Sequence, residues 1–280
     1  MKYRPKKNMT LAELINVHYA GTSNSKLKSY FKNKQILVNG TVAKSADEQV
    51  TPNDEVEVLK QGVAASKKLP FNLIYEDDAL VVVNKDAGVL TSGEGITKRP
   101  TLHKLVSTYL EAKTKGKIKA HVVHRLDKEV IGLVLFAKSE ELVENLQSNW
   151  KKFTKKYLAL CADQPAKASG TVDTWLIERN LKMNVTPKEI PGAVKAISHY
   201  KILRLEKKLT LIEVTLETGK KNQIRVHLAH IGCPIVGDTK YGSTYKTDVR
   251  LMGAHLEINH PVTGKRMKWN LEPSVNFLRV

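Results

Sequence analysis

Cysteine is almost absent from this 280-residue chain: there are two, Cys161 and Cys233, far apart and in no metal-ligand spacing. That excludes a disulfide scaffold and a cysteine-based zinc finger, and it fits the reducing cytoplasm. Long apolar runs are missing as well. No stretch approaches the roughly 18 apolar residues of a membrane-spanning helix, and the start, MKYRPKKNMT, has no apolar signal-peptide core. No membrane association is expected. Neither a G-x-x-x-x-G-K-S/T nor a G-x-G-x-x-G string occurs, so no nucleotide cofactor is expected. Acidic residues are also scarce, 28 against 46 Lys plus Arg, which leaves a net charge of +18. Such an excess points to a polyanionic partner, nucleic acid foremost, with a merely solvated basic surface as the plainer alternative. What remains is ordinary for a globular protein, with 41% hydrophobic and 26% charged residues. The length suffices for two domains with a sizeable core.

The segment KQGVAASKKLP (60–70) lacks apolar periodicity and reads as a linker. The expected organisation is therefore 1–62, a linker over 63–70, and 71–280. In the first part, Thr10 can cap a helix carrying Leu11, Leu14 and Ile15, and Ser23 or Ser25 a second carrying Leu27, Tyr30 and Phe31. Ile36-Leu37-Val38-Asn39-Gly40-Thr41-Val42 predicts a hairpin on an Asn-Gly turn. The second helix presents Lys26, Lys28 and Lys32; for an isolated helix this is simply a solvated face. In the larger part, Leu80–Val83 and Gly132–Phe136 predict buried strands, and Ser139 caps a helix from Glu140 to about Lys151. Ala196–Leu205 and Thr210–Leu216 alternate as a hairpin across Lys207-Lys208. Gln223–Ile231 predicts a helix ending at Gly232. Such short connections imply antiparallel pairing rather than a doubly wound parallel sheet.

Three segments hold residues capable of chemistry. HVVHRLD places Asp127 between Arg125 and Lys128, and a carboxylate beside cations stays ionised, as a nucleophile or base requires. From residue types alone, a surface salt-bridge cluster is the simpler explanation. In TGKKNQIRVHL, Arg225 lies between Ile224 and Val226, and an arginine in an apolar helix needs a partner, for which Asp127 is one candidate. Tyr157, in KKYLAL, alternates with apolar positions as an ordinary core tyrosine would. The pairs His121/His124 and His227/His230 have a metal-binding spacing but no evident third ligand, so no metal is expected. Gly93-Glu94-Gly95 reads as a flexible loop, and Lys113–Lys119 as a basic loop that either clamps RNA or is only solvated.

Taken together, "NLIYEDDALVVVNKDAGVL", "HVVHRLDKEVIGLVLFAKS", "KKYLAL" and "TGKKNQIRVHLAHIGCPIVGDTKYG" occur in the order found in RluA-type pseudouridine synthases, which residues 71–270 resemble. Residues 9–60, with "ILVNGTVAKSADEQVTPNDEVEVL", resemble the small alpha-L RNA-binding domain of a ribosomal small-subunit protein. The chain departs from the larger family at Asp86, where Pro is common, and at Val130-Ile131, where a Thr or Ser pair is usual. The resemblance implies an α+β fold: a mixed, mainly antiparallel catalytic sheet with a central cleft, plus a small N-terminal α/β RNA-binding domain.

It further implies an isomerase that detaches uracil from ribose, turns it and rejoins it through carbon 5. Asp127 matches the catalytic aspartate, which attacks the ribose or the ring or takes the ribose proton. Tyr157 matches the tyrosine packed on the uracil, and Arg225 the arginine paired with the aspartate. Arg125 matches the residue filling the gap left by the flipped-out uridine, and Ile224 the apolar residue beside Arg225. Lys26, Lys28 and Lys32 would lie along RNA backbone. No cofactor is implied. The expected substrate is ribosomal RNA of the large subunit, then transfer RNA, with the chain acting as a cytoplasmic monomer. Two other readings are a non-catalytic RNA-binding or ribosome-assembly protein on the same scaffold, and a nucleoside glycosidase with Glu129 as its second acid.

Overall fold

The structure, a computed structural model, describes residues 2–19, 22–59, 69–93, 100–206 and 208–280. It divides into two compact units, Met1–Leu69 and Pro70–Val280. Residues 63–68 of the expected linker, Glu94 and Gly95 of the glycine loop, and Lys207 of the expected hairpin turn lie outside the described residues.

The first unit opens with short strands β1 (Lys2–Tyr3) and β2 (Met9–Thr10). Helix α1 (Leu11–His18) starts from a capping box: the Thr10 hydroxyl accepts the Glu13 N–H, and the Glu13 carboxylate accepts the Thr10 N–H. Ser23 caps α2 (Asn24–Lys32) by accepting the Lys26 N–H. Strands β3 (Ile36–Val38) and β4 (Thr41–Val42) turn at Asn39 and Gly40, both at positive φ, as a type I′ hairpin requires. With β5 (Gln49–Val50) and β6 (Val56–Val58), the strands form a sheet ordered β1-β6-β3-β4 and a β2-β5 pair. Leu11, Leu14, Ile15, Ile36, Val50 and Val56 fill the core. Lys26, Lys28 and Lys32 are exposed on α2.

The second unit is built on one eleven-stranded sheet. Its elements are β7 (Asn72–Glu76), β8 (Leu80–Lys85), α3 (Leu102–Thr114), β9 (His121–Val122), β10 (Ile131–Ala137), α4 (Glu140–Ser148), β11 (Thr154–Ala162), β12 (Ser169–Arg179), β13 (Lys182–Thr186), β14 (Val194–Glu206), β15 (Leu209–Leu216), α5 (Gln223–His230), β16 (Leu251–Asn259) and β17 (Arg266–Asn270). The order is β13-β12-β14-β15-β11-β16-β10-β8-β7, with β9 on β10 and β17 on β16. Every pairing is antiparallel except β10 with β16. At that parallel seam Gly132 lies opposite Gly253, and Gly132 has φ +122°. A Cβ on Gly132 would run into the Gly253 backbone, so the two strands meet closely only because no side chain intervenes. The apolar runs of β8 and β10 are unbroken because they are buried: Leu80 to Val83 have no exposed surface, and α4 adds Leu146 to the same core.

Two expectations change in detail. The helix expected to reach Lys151 stops at Ser148, and a single 3-10 turn, Trp150–Lys152, follows, as Trp150 stacks on His124. Within the expected basic loop, Lys113 instead lies in the last turn of α3 and pairs with Glu76 at 3.0 Å. Among the described residues no helix is long and apolar enough to cross a membrane.

Candidate active site

A cleft of about 1200 Å³ in the second unit is lined by Arg125, Asp127, Tyr157, Ile224 and Arg225, the five residues singled out there from the sequence. Each arrives from a different local cause. Asp127 sits in the loop from β9 to β10, where its carbonyl accepts the Val130 N–H and closes a turn. That loop is pinned from the β8 side. The buried Thr91 hydroxyl donates to the Leu126 carbonyl at 2.8 Å and accepts the Leu126 N–H at 3.1 Å. Gly88 N–H and the Lys85 ammonium both donate to the Lys128 carbonyl. Lys85 is fully buried and also donates to the Asp86 and Val89 carbonyls. Burial pulls its pKa down to about 8 against the attraction of Glu129, Asp127 and Asp86.

Tyr157 projects from β11 beside the parallel seam: a Cβ on Gly253 would lie 3.6 Å from its ring and 3.7 Å from Leu126. Burial, and secondarily the charge of Asp127, push its phenol up to about 12, so the hydroxyl stays neutral.

Arg225 is carried by α5 and is buried. Its Nε and Nη2 donate to the two carboxylate oxygens of Asp238 at 2.7 and 2.9 Å. Nη1 donates to Asn222 Oδ1 at 2.9 Å and lies 3.5 Å from both Asp127 and Glu129. The Tyr241 ring lies 5.3 Å from the guanidinium carbon. Burial works against the arginine's charge, but Asp238 more than compensates and raises its pKa. Asn222 holds a left-handed conformation, φ 54°, at the start of α5, which places its side-chain oxygen on Arg225. Gln223 locks the same turn by donating to the Ile197 carbonyl and the Ser198 hydroxyl.

A sequence profile of the family described as RNA pseudouridylate synthase matches residues 79–230, from β8 through α5. The chain belongs to this family. Among curated relatives it is 30% identical over 301 residues to ribosomal large subunit pseudouridine synthase D of Pasteurella multocida, covering 98% of this chain and 89% of that protein. It is 31% identical over 276 residues to the protein of the same name from Escherichia coli K12, covering 89% and 82%. Among solved structures, human RNA pseudouridylate synthase domain containing 4 superposes with a TM-score of 0.63 at 23% identity, over 74% of this chain and 90% of that one. Human RNA pseudouridylate synthase domain containing 1 gives 0.59 at 18% identity, over 73% and 84%. Both share the fold: the large, mixed, mostly antiparallel sheet of the pseudouridine synthases.

Within this pseudouridylate synthase the charge environment of Asp127 differs from the one its sequence neighbours suggest. Arg125 and Lys128 are exposed, and the cation that faces the carboxylate is Arg225. Burial dominates and raises the Asp127 pKa; Arg225 opposes that, while Glu129 and Asp238 add to it. The carboxylate nonetheless keeps 33% of its side-chain surface exposed and so is open to the cleft. Arg225's main partner is Asp238, which the sequence reading did not single out although it lies within the quoted PIVGD. Thr91 carries no sequence signal of its role. The two histidine pairs have separate duties. His124 stacks on Trp150, and His227 is buried between the Ser198 and Thr174 hydroxyls.

Proposed function

We propose that this isomerase converts uridine to pseudouridine in ribosomal RNA of the large subunit, with Asp127 as its catalytic carboxylate. The observation that carries the site assignment is the convergence of Asp127, Tyr157 and Arg225 on one cleft, with the carboxylate accessible and the arginine held rigidly behind it. The relatives' names support the choice of RNA.

The reaction breaks the bond between the ribose and ring nitrogen 1, turns the uracil and joins carbon 5 to the ribose. Carbon 5 loses a proton, nitrogen 1 gains one, and nothing else is exchanged. Catalysis is then positioning plus one carboxylate. A uridine that leaves its stack costs a few kcal/mol. Arg125, exposed at the cleft, fills the vacated space. The neutral Tyr157 ring and Ile224 hold the detached base between them. Asp127, its pKa raised by burial, is a stronger base than a solvated carboxylate once ionised. Nη1 of Arg225 keeps it aimed.

Residues 1–62 are a separate alpha-L type RNA-binding domain, joined through 63–70 to the catalytic domain 71–280. Lys26, Lys28 and Lys32, exposed on one capped helix, supply contacts to RNA backbone. The test is release of tritium from 5-tritiated uridine in RNA purified from cells lacking this gene. The wild-type chain releases it and Asp127→Asn does not; comparable release by both removes Asp127 from the chemistry.

A further inference from the structure

One lysine in the cleft wall has no counter-charge among the described residues. Lys155 is 8% exposed, lies on β11 and lines the cleft. Its ammonium donates to the Trp150 carbonyl at 2.6 Å and lies 5.4 Å from the centre of the Trp150 ring. An ammonium has three donors, and this one has a single acceptor among the described residues. No carboxylate of the described residues comes within ion-pair distance of it.

Other buried lysines of the same unit are treated differently. Lys138, also with 8% of its side chain exposed, pairs with Glu76 at 2.8 Å. Lys85 is surrounded by three carbonyls. Next along the strand, Lys156 pairs with Glu213 at 3.1 Å. Burial without compensation lowers the Lys155 pKa. His124, stacked on Trp150, does not compensate: it is neutral, its pKa driven to about 3 by burial and by Lys155 itself. Burying a charge is expensive, so an uncompensated one that faces a cleft is explained when a ligand brings the opposite charge.

We propose that Lys155, backed by the Trp150 turn, is a binding site for one backbone phosphate of the substrate RNA. The site rests on the reading of this cleft as the RNA site. Lys155 and Tyr157 both line the cleft and are two residues apart on β11, which spaces them by roughly 6.6 Å along a strand. The phosphate is therefore that of the flipped uridine or its immediate neighbour. Lys151, exposed in the 3-10 turn and also lining the cleft, adds a second positive charge at the same end. Two phosphate oxygens would accept the two ammonium hydrogens that the Trp150 carbonyl does not take.

The test compares the wild-type chain with Lys155→Met and Lys155→Arg in the tritium-release assay on 5-tritiated RNA from cells lacking this gene, over a range of salt. The site predicts that Lys155→Met raises the half-saturating RNA concentration about tenfold with the maximum rate within about twofold. It predicts a slope of log affinity against log salt reduced by about 0.7 to 0.9, the loss of one phosphate contact. Lys155→Arg restores both. Without RNA, Lys155→Met melts at or above the wild-type temperature, because a buried charge kept for a ligand is not needed by the fold. An unchanged salt slope, or a Lys155→Met chain that unfolds, assigns the lysine to the fold and overturns the phosphate site alone. A wild-type chain that releases no tritium overturns the RNA reading, and the site with it.

Discussion

Arg225 gives two of its nitrogens to Asp238, at 2.7 and 2.9 Å, and stands 3.5 Å from Asp127 with the third. The arginine's charge is thus largely neutralised from behind, by a carboxylate that is almost wholly buried. Asp127 is aimed by Arg225 but not locked to it, and its pKa is raised, not lowered. This arrangement leaves a reactive carboxylate facing the cleft and puts the structural burden on Asp238.

Replacing Asp127 by Asn should abolish turnover while RNA affinity stays within about twofold, since uniform binding does not depend on the reacting group. The same variant has a stability signature. With its folded pKa above its unfolded value, the native state holds the proton more tightly, so ionised Asp127 lowers stability at pH values above the folded pKa. Asp127→Asn should therefore melt higher than the wild type at neutral pH, with the gap closing as pH falls through the raised pKa. Thermal melts across pH check this; a lower melting temperature at neutral pH contradicts it.

Asp238→Asn leaves Arg225 buried with half of its fork unanswered. Breaking a buried pair from one side costs about 3–5 kcal/mol. Denaturant unfolding should show a loss of that order, and the maximum rate should fall more than RNA affinity does. A variant as stable as the wild type would mean that Asn222 and Glu129 suffice to hold Arg225.

Lys85→Met removes the donor from the Asp86, Val89 and Lys128 carbonyls at once. The Lys128 carbonyl keeps the Gly88 N–H, but the other two lose this donor, and an unsatisfied buried acceptor costs about 1–3 kcal/mol, so a total of roughly 2 kcal/mol or more is expected. Because Lys128 adjoins Asp127, hydrogen exchange should speed up first across residues 125–130. Loss of stability with unchanged exchange there contradicts the pinning role.

Replacing Lys26, Lys28 and Lys32 together by Ala should weaken RNA binding without touching the chemistry. Three lost phosphate contacts reduce the slope of log affinity against log salt by about 2 to 3. An unchanged slope places the RNA path elsewhere on the first unit.

Much of the frame is legible from local pattern. The caps at Thr10, Ser23 and Ser139, the Asn39-Gly40 turn, and the runs of β8 and β10 each announce themselves within a few residues. Elements whose burial is uneven do not. In β12 only Val172 and Leu176 are fully buried among eleven residues, so no alternating stripe emerges. In β16 the apolar run is interrupted by Gly253, His255 and Glu257. Helix α3 did carry a signal, Leu102, Val106 and Leu110 at four-residue spacing behind a Thr101 cap, masked by the basic run that begins at its last turn. For the site, residue types alone favoured a surface ion pair at Asp127 and a core tyrosine at Tyr157; only the ordered family segments joined them. The Arg225–Asp238 fork and the Thr91 clamp on Leu126 depend on which loops meet, and spacing along the chain does not encode that.

The most direct test of the central claim is pseudouridine mapping of total RNA from cells with and without this gene, by a chemical label that stops reverse transcription. The account predicts the loss of one or a few sites in large-subunit ribosomal RNA, restored by the wild-type chain and not by Asp127→Asn. An unchanged pseudouridine map, or restoration by Asp127→Asn, would contradict it.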